Sequence, residues 1–162
     1  PEEFCGNRIR RMEKEKQWLA DNLTCVKPEE EGYITVEGEE HIRDKIRNLI
    51  EKAEERVYLS CSRICLDSLA EELRMLVTTG RKLVLITDAP YHMEGALVYV
   101  TEEKGSQIGL IADSKYVLSG EFGQGSMNTC LYSGQKNFVM LFKTALANEI
   151  ELIKIRKGEK EQ

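Results

Sequence analysis

The stretch from Ser106 to Gly120, Ser-Gln-Ile-Gly-Leu-Ile-Ala-Asp-Ser-Lys-Tyr-Val-Leu-Ser-Gly, constrains the fold more than any other. Ile108, Leu110 and Ile111 on one side and Tyr116, Val117 and Leu118 on the other are β-rich runs. Between them, Asp113-Ser114-Lys115 supplies turn-forming side chains that bond their own backbone. A β-hairpin is expected, with its tip as the first place to look for chemistry.

Upstream of the hairpin the pattern alternates. Tyr33 to Val36 reads as a short strand, and Glu39 to about Glu55 as a helix whose Ile42, Ile46, Leu49, Ile50 and Ala53 form one apolar stripe. Val57 to Cys61 reads as a strand. Leu66 to Thr79 gives a second striped helix, with Ser68 and Glu71 as a capping box and Gly80 as its stop. Lys82 to Thr87 is almost continuously apolar, as in a strand buried on both faces. This β, α, β, α, β order implies a parallel sheet with covering helices. Ala96 to Thr101, the two hairpin arms and Asn128 to Ser133 follow as strand candidates joined by short turns, and are expected to add antiparallel strands. Gln135 to about Lys154 reads as a closing helix through Phe138, Val139, Phe142, Ala145, Leu146 and Ile150, although Ile150, Leu152 and Ile155 also suit a last strand. The tail from Lys157 to Gln162 is expected to fray.

Residues 1–31 have a different character. From Asn7 to Val26, Ile9, Met12, Lys16, Leu19, Leu23 and Val26 fall at heptad a and d positions, with Lys16 the polar exception. A short coiled-coil homodimer is expected, in which Arg8 faces Glu13 of the partner. Pro28 and three glutamates then make a linker, and the main domain spans 32–162. Because the chain begins with Pro1 rather than Met, a fragment or processed product is expected.

A net charge of −5 argues against this segment holding a nucleic-acid backbone unaided, since that binding rests on Lys and Arg. Any DNA contact is expected through an upstream domain. No apolar run is long enough to cross a bilayer and no signal segment is present, so a cytoplasmic location is expected and Asn22-Leu23-Thr24 carries no glycan. Five scattered cysteines do not resemble a disulfide framework.

Catalytic groups are few. His41 and His92 show neither metal-ligand nor triad spacing, and no cofactor or metal is expected. Cys61-Ser62-Arg63-Ile64-Cys65 places two thiols after a strand with Arg63 between them to favour a thiolate, but small core cysteines are the commoner use of such residues. Gly120 to Gly125 lacks the Lys of a phosphate loop. Ligands in α/β sheets bind at the carboxyl ends of strands. Ser60, Ser62, Thr87 and Asp88 reach that edge, and Asp113 and Ser119 join them if the hairpin folds over the same rim. Such a cluster suits a small hydroxylated or cationic ligand.

The run from Ile42 to Ala53, then "RVYLSC", the Leu-rich helix to Gly80, "KLVLIT", "IGLIADSKYVLSG", "TCLYSG" and the last helix resemble the phospholipase-D-like domain of TrmB-type transcriptional regulators. The likeness covers about residues 33 to 150. It implies a mixed α/β sheet flanked by helices, preceded by a coiled-coil helix that in the family follows a DNA-binding winged helix. Phospholipase D enzymes carry His-x-Lys-x4-Asp. Counting back from Asp113, the Lys position is Ile108 and the His position Ser106, so the aspartate alone is kept. Sugar-sensing members carry a further β-rich C-terminal domain that supplies the sugar contacts; this sequence stops at Gln162, straight after the closing helix, so those contacts are not expected here. The resemblance therefore implies a non-catalytic regulatory and dimerisation domain. A diverged phosphodiester hydrolase and a ligand-free dimerisation module are the alternatives.

Overall fold

The computed structural model describes residues 32–161. The heptad residues Ile9, Met12, Lys16, Leu19, Leu23 and Val26, and the arm that contains them, lie outside the described residues. In chain order the elements are β1 (Tyr33–Glu37), α1 (Glu39–Lys52), β2 (Arg56–Ser60), α2 (Arg63–Ser68), α3 (Ala70–Thr78), β3 (Lys82–Thr87), β4 (Leu97–Val100), β5 (Gln107–Ala112), β6 (Tyr116–Glu121), β7 (Thr129–Ser133) and α4 (Lys136–Glu161). The strands form one sheet in the order β1-β7-β6-β5-β2-β3-β4.

The hairpin forms as expected. β5 and β6 pair antiparallel with Ala112 opposite Tyr116, and Asp113 and Ser114 both take positive φ, the tight-turn geometry that short polar residues tolerate. The alternation upstream misleads, however. Only β2 with β3 and β3 with β4 are parallel, whereas β1 crosses to the far edge and pairs antiparallel with β7. β4, expected to be antiparallel, is the second parallel neighbour of β3.

Two helices replace the single one expected over Leu66 to Thr79, with the break at Leu69. The Ser68–Glu71 capping box is absent, because the Ser68 hydroxyl donates to the Cys65 carbonyl instead. Ser62 caps α2, accepting from the Cys65 amide at 3.2 Å. Gly80 ends α3 as expected, at φ 84. Ile150, Leu152 and Ile155 are helical, not a last strand.

The sheet has two covered faces. Under α1 to α3 lie Leu59, Leu85 and Leu110 with Ile42, Ile46 and Leu73 from the helices. Under α4 lie Ile86, Ile111 and Val117 with Val139, Leu146 and Ile153. Neighbouring strand residues such as Leu85 and Ile86 therefore go to opposite layers, which is why β3 is apolar without alternation. Each fully buried aliphatic side chain contributes about 1.5–3 kcal/mol from area alone.

Candidate functional site

The expected rim divides. β5 runs antiparallel to β2, with Ala112 opposite Val57 and Gly109 opposite Ser60. Asp113 therefore lies at the start of β2, at the opposite end of the sheet from Ser60 and Thr87. Its carboxylate accepts from the amides of Glu54 and Glu55 at 2.8 Å and of Arg56 at 3.0 Å. It fastens the hairpin tip to the β2 approach rather than facing a ligand. Partial burial pushes its carboxyl upward, yet these amides and nearby Lys115 outweigh that and hold it below its ordinary range.

Asp88 plays the same part at the other end. Its carboxylate accepts from the Arg63 amide at the start of α2 and from the Lys104 amide, both at 3.0 Å. Burial again opposes ionisation, and the amides of Lys104 and Arg63 with the Lys104 charge outweigh it, so this carboxyl also titrates low. Ser62 is occupied as the α2 cap. Thr87 is fully buried, and its hydroxyl oxygen has no hydrogen-bond partner among the described residues.

Ser60 and Ser119 do come together. Gly109 pairs with both, and all three line a cavity of about 450 Å³ between the sheet end and α4. Phe142 and Ala145 supply its apolar wall, while Lys104, Gln107, Glu121 and Glu149 supply polar groups. Lys104 and Glu149 form an ion pair that ties the loop before β5 to α4, with Lys104 only 11% exposed. Sequence reasoning missed both residues, because a loop lysine and a helix glutamate 45 residues apart give no local signal.

The opposite face of this sheet end is filled. Ile108, at the position of the phosphate-binding Lys, is 3% exposed and belongs to the same core as Phe122, Cys61, Cys65 and Cys130. The Ser106 hydroxyl is 3.5 Å from a Glu121 carboxylate oxygen. Both histidines lie elsewhere: His41 contacts the Glu37 carbonyl through Nδ1 at 3.1 Å, and His92 is an exposed loop residue.

The described thiols are reduced and buried. The two thiols act on each other: their interaction pushes Cys61 well up, with burial adding to it, and lowers Cys65, where burial opposes and Arg43 assists. The cation beside Cys65 is thus Arg43, not the expected Arg63. Arg63 turns outward to Asp67 at 3.1 Å and to the Pro90 carbonyl, and lies over the Tyr91 ring. Cys130 joins from β7; burial pushes its thiol up to about 11. No group of three His, Cys, Asp or Glu among the described residues is placed to hold a metal ion.

No protein-family model and no curated protein sequence matches. Solved structures do. TrmBL2, an archaeal chromatin protein described as having a novel mode of DNA binding, aligns with a TM-score of 0.60 at 15% identity, over 88% of this chain and 61% of its own. NucT from Helicobacter pylori aligns with a TM-score of 0.59 at 15% identity, over 74% of this chain and 96% of its own. Nuc from Salmonella typhimurium, a phospholipase D family member, gives 0.58 at 9% identity, over 72% and 92%. The fold is phospholipase-D-like. This chain spans about three fifths of TrmBL2 and matches almost the whole of each nuclease. No described helix is long and apolar enough to cross a membrane.

Proposed function

We propose that this chain is a non-catalytic regulatory domain of a transcriptional regulator of the TrmB type, whose DNA contacts are made by another segment. One observation carries the reading: the sheet end where phospholipase D chemistry would be housed holds Ser106 and a buried Ile108 in place of a nucleophilic His and a phosphate-binding Lys. The motif positions thus offer neither a nucleophile nor a phosphate-binding cation, and Lys104, the lysine lining the cavity at this end, is engaged by Glu149, which supports a reading without phosphodiester displacement. The similarity to a DNA-binding archaeal chromatin protein supports the regulatory setting.

Effector binding belongs to the cavity under α4. Ser60 and Ser119 offer hydroxyls, Phe142 an apolar wall, and the Lys104–Glu149 pair a charged group of each sign. This set suits a small hydroxylated molecule. A ligand that separates Lys104 from Glu149 would uncouple the loop from α4, shifting the population between two positions of that helix.

Two measurements test the reading. Purified protein should show no turnover of bis(4-nitrophenyl) phosphate; turnover abolished by Ser106→Ala in a folded variant would establish the hydrolase instead. In a thermal-shift screen of sugars and polyols, hits should weaken in both Ser60→Ala and Ser119→Ala. Hits indifferent to both would move the effector site elsewhere.

A further inference from the structure

α4 lies across one face of the sheet, and its two flanks differ in charge. One flank closes the cavity that holds Ser60 and Ser119. The other faces the β5–β6 turn and the start of β2, at the opposite end of the sheet, and carries Lys136, Lys143 and Lys154. Spacings of seven and eleven residues put these three lysines on one side of the helix.

Between this flank and the turn is a cavity of about 790 Å³, lined by Lys115, Lys136 and Lys143 with Ser114 and Met140 among their neighbours. No aspartate or glutamate lines it. Among the described residues, none of these three lysines is in a salt bridge. Lys115 does act on Asp113, but that carboxylate is turned to the amides of Glu54, Glu55 and Arg56. Three cations thus surround one hollow of a chain whose net charge is −5, and their mutual repulsion is relieved only when an anion enters. Because α4 begins at this hollow, its N-terminus adds partial positive charge to theirs.

A second cavity, of about 380 Å³, shares Ser114 and Lys143 with the first, so the two adjoin. Tyr58, Leu146 and Ile150 give it apolar walls, with Lys154 and its one carboxylate, Glu151, further along α4. Arg56 also lines it, but is held by Glu55 at 3.0 Å.

We propose that this flank of α4 binds a small phosphomonoester, with the phosphate among Lys115, Lys136 and Lys143 and an apolar or aromatic body along Met140 and Tyr58. Charge-assisted bonds from ammonium groups to phosphate are the strong ones, and the Ser114 hydroxyl, common to both cavities, can add another. Met140, 65% exposed, offers a thioether that a flat body would cover. Each cavity has the size of a small-molecule site. A nucleic-acid backbone fits less well, since its phosphates would continue past Lys143 to Glu151, and the chain as a whole repels a polyanion. The site is distinct from the cavity of Ser60 and Ser119, and the proposal stands whether or not that cavity takes an effector.

NMR of the ¹⁵N-labelled full chain tests it, with adenosine 5′-monophosphate and phenyl phosphate as probes and adenosine and inorganic phosphate as their halves. Each probe should shift the amides of Ser114, Lys143 and Tyr58, and should bind at least about tenfold more tightly than either half. Lys143→Gln should weaken both probes by about tenfold and Lys115→Gln by several-fold, whereas Lys143→Arg should retain binding. Lys52→Gln, at the end of α1, should change nothing. These lysines are exposed, so the rest of each variant's spectrum should stay in place and report an intact fold. The proposal is overturned if neither probe moves amides lining the two cavities, if the shifts gather at Ser60 and Ser119 instead, or if binding ignores both Lys143→Gln and Lys115→Gln. A DNA duplex that displaces the probes and loses affinity in the same variants would also overturn it, and would assign the groove to nucleic acid.

Discussion

Two aspartates, Asp88 and Asp113, show how residue type can be informative while its partner is not. Each is a loop carboxylate that binds backbone amides, as turn chemistry suggests. The amides, however, belong to segments 16 to 59 residues away, which no local pattern encodes. Asp113→Asn keeps the side-chain shape and tolerates positive φ, so it isolates the charge. It should cost about 1–2 kcal/mol at pH 7, at the lower end for charge-assisted bonds because the site is partly exposed. Since the folded carboxyl titrates below its unfolded value of about 3.9, its contribution is complete above that pH and is lost as pH falls through the folded value. Urea melts of the two proteins should therefore differ at pH 7 and draw together as the pH falls below about 4; a constant difference would show that the charge is not what matters. The thiols give a second residue-scale prediction. Mass-mapped alkylation at pH 8 should modify Cys65 ahead of Cys61 and Cys130, because the first is lowered and the others raised. Cys130 reacting first would contradict the burial that raises it.

Among elements, the hairpin was the most legible, because β-rich arms and a polar tip are both local signals. The break between α2 and α3 was not, since Leu69 is itself fully buried and continues the apolar stripe across the gap. β1 was recognised as a strand but misplaced: its register with β7, Tyr33 opposite Ser133, depends on tertiary contacts 100 residues apart. The β6–β7 pair depends on a single glycine. A Cβ at Gly120 would come within 2.2 Å of the Thr129 carbonyl oxygen and 2.7 Å of the Cys130 Cα, both backbone atoms that cannot swing aside. Gly120→Ala should destabilise by about 2–3 kcal/mol, as overpacking does, and should loosen β7 and β1 together. Hydrogen exchange is the check: protection in β7 and β1 should fall while β2 and β3 keep theirs, and unchanged β7 protection would refute the close approach.

For the whole molecule, the sheet end explains why the site was only half readable. The missing His and Lys were visible in the string, and so were the hydroxyls of Ser60 and Ser119. Which layer each residue enters was not, because it depends on register: Ile108 turns into the α1 to α3 core, whereas Gly109 presents its backbone to Phe142 under α4. The two layers thus separate a closed apolar end from an open cavity on the other face. That separation predicts the fate of an attempt to reinstall phosphodiester chemistry. Ile108→Lys would bury an ammonium among Phe122, Cys130 and Cys61, where no described carboxylate forms an ion pair across the core. The expected cost is about 3–5 kcal/mol. Combined with Ser106→His it should yield an unstable protein without turnover of bis(4-nitrophenyl) phosphate. Recovery of activity at undiminished melting temperature would mean that this end of the core yields easily, and that hydrolysis lies only two substitutions away.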